Sequence, residues 1–213
     1  LDDGLTFSFR FSSAISACEK AGQWRVALDL LDRMKREGIG RTAIAYNAAI
    51  SACEKGLVPH KALELFEQMK SEGVVPTVVT YSALISAAEK GQQWKLALEV
   101  LDEMKASGHG ANVIAYSAAI SALSKGQMWE KALELFREIE RSGNTPSIVT
   151  YNATMTALEK GLQWERALDL FDEMKAKRLP ITVVSYGSAI SACEKGLQYR
   201  QCLEYLDEMT ELG

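Results

Sequence analysis

Histidine is almost missing from this chain: His60 and His109 are the only two in 213 residues, and they stand at different phases of the pattern described below. No Cys-x-x-Cys or His-Glu-x-x-His spacing occurs, so no metal site is expected. Cysteine is sparse as well. The four residues show no regular pairing and read as reduced thiols rather than as a disulfide scaffold. Packed helices lie about 8–10 Å apart, beyond the reach of about 7 Å between Cα atoms that a disulfide allows. Cys193 and Cys202 are the one pair placed to meet, across a hairpin. Proline (4) and glycine (15) are too few for a disordered chain. No stretch approaches the roughly 18 apolar residues of a membrane span, and no signal peptide or basic leader is visible at the start. No glycine-rich phosphate loop is present. Enzyme activity is therefore not expected on this segment, and no cofactor is implied. A net charge of −4 gives nucleic-acid binding no support by itself.

What the chain does have is a period. Tyr46, Tyr81, Tyr116, Tyr151 and Tyr186 are 35 residues apart, with Phe11 one step earlier. Lys20, Lys55, Lys90, Lys125, Lys160 and Lys195 keep the same spacing. So do Trp24, Trp94, Trp129 and Trp164, with Pro59 and Tyr199 in the gaps, and Met34, Met69, Met104, Met174 and Met209, with Ile139 as substitute. Periods of this length mark repeat architectures. The whole chain, 1–213, divides into repeats 8–42, 43–77, 78–112, 113–147, 148–182 and an incomplete 183–213. Residues 1–7 look like the tail of a preceding repeat.

Each repeat reads as two helices. In VTYSALISAAEK, Tyr81, Ile85 and Ala88 recur at helical spacing, and Gly91 is a natural helix stop. A second helix starts near Trp94, with Ala97, Leu98, Leu101 and Met104 as its apolar stripe. Helices this short are marginal alone. They persist by stacking, each buried large apolar side chain contributing about 1.5–3 kcal/mol. Alanines at 17, 52, 87, 122, 157 and 192, and at 27, 62, 97, 132 and 167, permit close approach. The fold class is all-α, an α-solenoid of helix-turn-helix repeats.

The segment VVTYSALISAAEKGQQWKLALEVLDEMKASG resembles a pentatricopeptide repeat, and the resemblance runs from about Ser8 to the end. The Thr-Tyr opening, the Lys-Gly turn and the Ala-Leu…Met second helix all match, as a P-type array. The 34-residue tetratricopeptide repeat fits less well, because the period here is 35 throughout. The resemblance implies a right-handed superhelix that binds single-stranded RNA in mitochondria or plastids, one base per repeat.

A helical projection at about 100° per residue sets out the face opposite the buried one. It carries an apolar row (Phe9, Ile44, Val79, Ile114, Val149, Val184), then a row of small residues (Ser12, Asn47, Ser82, Ser117, Asn152, Gly187), and finally the lysines. An apolar side chain wedges beside a base, a small amide or hydroxyl bonds its edge, and a lysine meets a phosphate. The expected phosphate contacts are Lys20, Lys55, Lys90, Lys125, Lys160 and Lys195. Against this, Glu19, Glu54, Glu89, Glu159 and Glu194 lie beside the lysines, with Ser124 as the exception. Second helices place Asp29, Glu64, Glu99, Glu134, Asp169 and Glu204 on one outer line.

In the family, the polar residue after the tyrosine and the last residue of the repeat together select the base. Carried over, the pairs are Ser12 with Thr42, Asn47 with Thr77, Ser82 with Asn112, Ser117 with Ser147, and Asn152 with Thr182. They spell 5′-purine–pyrimidine–A–purine–pyrimidine-3′. The blander reading of Thr42, Thr77, Asn112, Ser147 and Thr182 is helix capping, and the lysines suit helix C-termini. The tryptophans read as anchors of the second helices. The alternative function is a helical scaffold that binds a protein or peptide.

Overall fold

The computed structural model describes residues 3–211. Twelve helices follow one another in six hairpins. The first-position helices are α1 (Asp3–Lys20), α3 (Ala43–Lys55), α5 (Val78–Lys90), α7 (Val113–Lys125), α9 (Ile148–Lys160) and α11 (Val183–Lys195). The second-position helices are α2 (Trp24–Arg36), α4 (Pro59–Ser71), α6 (Trp94–Ala106), α8 (Trp129–Arg141), α10 (Trp164–Ala176) and α12 (Tyr199–Glu211). The helix α1 is longer than the others because it takes in residues 3–7, which the repeat pattern left outside the first repeat. The chain forms two compact halves, Leu1–Ala111 and Asn112–Gly213.

Each half has the same layering. In the N-terminal half α1, α3 and α5 stack in order, α2 lies against α1 and α3, and α4 against α3 and α5. In the C-terminal half α7, α9 and α11 stack likewise, with α8 against α7 and α9, and α10 against α9 and α11. The core runs between the two layers. Phe66, on α4, meets Tyr81 edge-on at 5.5 Å; Phe136 meets Tyr151 at 4.8 Å, and Phe171 meets Tyr186 at 5.1 Å. The alanines of both rows are buried from Ala52 and from Ala27 onward. Ala17 is exposed.

The first-position helices are capped by side chains. Thr42, Thr77, Asn112, Ser147 and Thr182 each accept a hydrogen bond from the backbone N–H three residues on. Reciprocal capping boxes join Thr77 to Thr80, Ser147 to Thr150 and Thr182 to Ser185. Among the second-position helices, α2, α4, α6, α8 and α10 have no side-chain cap, although Pro59 sits at the start of α4.

The turn glycines stand where the first-position helices stop, as the sequence indicates. Gly56, Gly91, Gly161 and Gly196 end first-position helices, but they do not take the left-handed conformation; Gly56 has φ −78°. The residue after each does: Leu57, Gln92, Leu162 and Leu197 lie at φ 55–57°. What requires glycine is the neighbouring repeat. A Cβ on Gly56 would stand 2.3 Å from Trp24 Cδ1, on Gly161 2.3 Å from Trp129, on Gly196 2.4 Å from Trp164, and on Gly91 2.4 Å from Pro59. Trp24, Trp129 and Trp164 are therefore half-buried wedges between successive hairpins. At the ends of second-position helices glycine does its conformational work instead: Gly38, Gly73, Gly108 and Gly143 have φ between 69° and 78°.

Candidate nucleic-acid interface

The open face of the first-position helices is built by the rhythm of buried and exposed places. Ala45 and Tyr46 are fully buried, so the residue before them points outward: Ile44 is 67% exposed. The same geometry exposes Phe9 (73%) and Val79 (59%) in the N-terminal half, and Ile114, Val149 and Val184 (63–66%) in the C-terminal half. Large apolar side chains standing in water at regular intervals mark a contact surface.

Between α1 and α3 lies a cleft of about 480 Å³. Phe9 and Ile44 line it together with Ser12, Thr42 and Lys20. One residue or more from each class expected to touch RNA thus meets in one place.

The expected base-reading residues divide by what their polar atoms already do. Ser12 is buried and donates back to Ser8 O at 2.8 Å. Asn47 is half-buried; its Nδ2 donates to Thr77 Oγ1 at 3.2 Å, and its Oδ1 accepts from Thr80 Oγ1 at 2.6 Å. Asn47 and Thr77, a pair by the family pattern, are therefore in direct contact. Ser82 Oγ and Asn152 Oδ1 are buried and without a hydrogen-bond partner. Ser117 is buried, donates to Val113 O at 2.7 Å, and lies 2.6 Å from Thr150 Oγ1. Thr42, Asn112, Ser147 and Thr182 act as caps. Gly187 is exposed and has no side chain to offer.

All six lysines of the phosphate row are exposed. Lys55, Lys90 and Lys160 are not free-standing cations. Lys55 Nζ lies 2.9 Å from Glu19, and Lys90 Nζ lies 2.9 Å from Glu54, each bridging to the preceding repeat. In the C-terminal half Lys160 points at the Ser124 carbonyl at 3.5 Å, where serine replaces the acid. Glu19 and Glu54, which looked out of place in the sequence, are thus the other half of inter-repeat rungs.

The second-position helices carry a different network. Tyr46 donates to Glu72 at 2.7 Å, Tyr116 to Glu138 at 2.8 Å, Tyr151 to Glu173 at 2.6 Å and Tyr186 to Glu208 at 2.8 Å. Lys70 reaches Glu103 of the next repeat, and Lys175 reaches Glu208. Hydrogen bonds from Lys175 and then Tyr186 hold the Glu208 carboxyl below its ordinary value. Partial burial alone would raise Glu173. Hydrogen bonds from Lys177 and Tyr151, with attraction to Lys177 and Arg137, outweigh it and keep that carboxyl low too. Burial pushes the Tyr186 and Tyr205 phenols up to about 12, so both stay neutral donors. Asp29, Glu64, Glu99, Glu134, Asp169 and Glu204 are all exposed on this side. Burial also raises the Cys53 and Cys193 thiols to about 11, which makes them poor nucleophiles.

Sequence reasoning missed Thr80, Thr150 and Ser185, which link a cap to the polar residue of the preceding repeat or to the cap alone. The signal was present as Thr77-x-x-Thr80 and Ser147-x-x-Thr150, hydroxyl residues at capping-box spacing.

With the geometry in place, the comparisons are decisive. The sequence model of a family described as the pentacotripeptide-repeat region of PRORP matches residues 4–135 and 45–212. The chain belongs to the pentatricopeptide-repeat family. The maize pentatricopeptide repeat protein PPR10 is 28% identical at a TM-score of 0.68, over 95% of this chain and 29% of PPR10. The chain thus spans less than a third of that protein. PPR10 in complex with an 18-nt psaJ RNA element matches at 25% identity and a TM-score of 0.61, over 97% of this chain and 34% of that one. Two further proteins share the fold. The PPR domain of Arabidopsis thaliana protein-only RNase P 1, solved with tRNA, is 19% identical at a TM-score of 0.74, over 85% of this chain and 96% of that one. The nuclear protein-only RNase P 2 of A. thaliana is 13% identical at a TM-score of 0.76, over 87% and 42%. No curated protein matches the chain. Among the described residues, no helix is long and apolar enough to cross a membrane.

Proposed function

We propose that this pentatricopeptide-repeat chain binds single-stranded RNA along the open face of its first-position helices, one base to a repeat. The observation that carries this reading is the cleft where Phe9, Ile44, Ser12, Thr42 and Lys20 converge. A base inserted between Phe9 and Ile44 has apolar surface on both sides, and aromatic contact with a base is worth about 1–3 kcal/mol. Val79, Ile114, Val149 and Val184 repeat the wedge at equally exposed places. The pairs from Ser12/Thr42 to Asn152/Thr182 then favour 5′-purine–pyrimidine–A–purine–pyrimidine-3′, with Ser82 and Asn112 reading the adenine.

The lysine row meets phosphates by exchanging partners: Glu19 and Glu54 give way to the RNA backbone at Lys55 and Lys90. On this reading the chain is a binding module that occludes, stabilises or remodels a transcript and carries out no chemistry itself. A mitochondrial or plastid site of action is part of the proposal; the fold is shared with a nuclear protein, so the fold does not assign the compartment.

The same rungs favour a second reading, a scaffold for a protein or peptide, because they leave little uncompensated positive charge on the open face. Selection of bound RNA from a random pool separates the two. The RNA reading predicts enrichment of a short motif, lost in Lys90→Glu/Lys125→Glu, and affinity that falls with salt at a log–log slope of about −0.7 per phosphate. A pool that shows no enrichment, or the same enrichment with the charge-reversed protein, supports the scaffold.

A further inference from the structure

The polar residue after the tyrosine differs in hydrogen-bonding setting between repeats, and at Asn47 and Ser117 the third residue of the repeat that follows is one of its partners. Ala45 follows Ser12, and Ser12 turns back to its own helix at Ser8 O. Thr80 follows Asn47, and its hydroxyl stands 2.6 Å from Asn47 Oδ1. Thr150 follows Ser117, at 2.6 Å. Ser185 follows Asn152; its hydroxyl instead lies 3.1 Å from Thr182 Oγ1 and accepts from Thr182 N at 3.3 Å. Asn152 Oδ1 is left buried and without a partner.

At Asn47 the distances fix which way the amide faces. Thr80 Oγ1 already accepts from Thr77 N at 2.9 Å, so its single proton is available to Asn47. A separation of 2.6 Å belongs to an O–H···O bond, and the 3.2 Å to Thr77 Oγ1 belongs to an N–H···O bond. The carbonyl of Asn47 therefore faces Thr80 and its NH2 faces Thr77. One amide N–H is used there, and the other has no partner among the described residues.

We propose that Thr80 is a positioning residue for base recognition: its hydroxyl locks the Asn47 amide with a free N–H presented, so that the second repeat selects a base edge offering an acceptor. This inference rests on the RNA-binding reading above. Asn152 has no equivalent lock. Its amide takes either orientation, and the fifth repeat discriminates less between bases than the second.

The test uses the full chain and single-stranded oligonucleotides varied at the second or the fifth base of the matched site. Thr80→Val removes the donor at nearly constant shape, and Ser185→Thr supplies the methyl that Thr80 has and Ser185 lacks. The expected result is a loss of about fivefold in discrimination at the second base in Thr80→Val and sharper selection at the fifth base in Ser185→Thr. Discrimination at the second base that is unchanged by Thr80→Val overturns the inference. Nuclear Overhauser contacts in the RNA-free protein provide an independent check. The Asn47 NH2 protons should contact the Thr77 side chain more strongly than the Thr80 side chain in the parent and lose that preference in Thr80→Val; stronger contacts to Thr80 than to Thr77 in the parent overturn the lock. A parent chain with the fixed contact but no RNA affinity refutes the RNA reading, and with it the role in selection, while leaving the orientation itself standing.

Discussion

The helices α7 and α8 are both thirteen residues long, yet α7 leaves Ile114 66% exposed while α8 buries Phe136 completely. The helix α7 begins with a cap at Asn112, whose Oδ1 accepts from Ala115 N at 2.8 Å. The helix α8 begins without a side-chain cap. In the N-terminal half, charge on the first-position helices is paired along the stack, as in Lys55–Glu19 and Lys90–Glu54. Charge on the second-position helices includes a line of exposed acids with tyrosine-bonded glutamates behind it. The lesson is a division of labour inside one hairpin. The second-position helix supplies the phenylalanines of the core and the wedge that grips the next repeat, while the first-position helix supplies the tyrosines on its buried side and carries apolar side chains on its open side as well.

The sharpest way to break this division is to truncate one large apolar side chain on each of the two helices. Phe136→Ala is expected to destabilise the chain by about 3–5 kcal/mol, read by chemical denaturation. Ile114→Ala should change stability by no more than about 0.5 kcal/mol. Similar losses from the two would show that the exposed row belongs to the core after all.

The wedge comes next in size. Gly161→Ala forces a methyl against Trp129 and should cost about 1–3 kcal/mol. In a Trp129→Ala background the same substitution should be close to neutral, which a double-mutant cycle measures directly. A cost that persists without the tryptophan would return glycine to the conformational role that its φ argues against.

The period, the helix pairs and the buried stripes were legible from the sequence because they rest on local spacing, such as Tyr81, Ile85 and Ala88 on one helix face. The role of Gly56 was not, because the atom it makes room for belongs to Trp24 of the preceding hairpin. Without that partner a glycine after a helix reads as a conformational stop. The rungs were hidden for the same reason. Glu54 and Lys90 are 36 residues apart, and only stacking turns two rows of opposite charge into pairs. At the candidate site, the exposed row was readable from its phase against the buried tyrosines. The state of Asn47 was not, since its partners are Thr77, 30 residues on at the end of the same repeat, and Thr80 in the next.

A smaller effect separates the two charge networks by pH. Glu173 and Glu208 are held below the ordinary carboxylate value. Their contribution is fully present above that ordinary value and is lost as pH falls through the lower folded-state values. Acid titration of stability should show this loss in the parent and a weaker one in Lys175→Met, in which Glu208 loses its cation. An identical acid limb in the two would remove the network from the account.

The smallest expected effect is at the rungs. Glu54→Gln should alter stability by less than about 0.5 kcal/mol, as an exposed pair does. By releasing Lys90 it should strengthen RNA binding at low salt and steepen the salt dependence by up to about 0.7 in log–log slope. Weaker binding in Glu54→Gln would mean that the rung holds Lys90 in place for RNA rather than competing with it.

The most direct test of the central claim is fluorescence anisotropy of a labelled single-stranded RNA carrying 5′-purine–pyrimidine–A–purine–pyrimidine-3′, titrated with the parent chain and with Phe9→Ser/Ile44→Ser. The account predicts saturable binding by the parent and a loss of at least about fivefold in the variant, from stacking energy of about 1 kcal/mol or more, with the denaturation midpoint unchanged. An absence of saturable binding, or equal affinity in a folded variant, would contradict it.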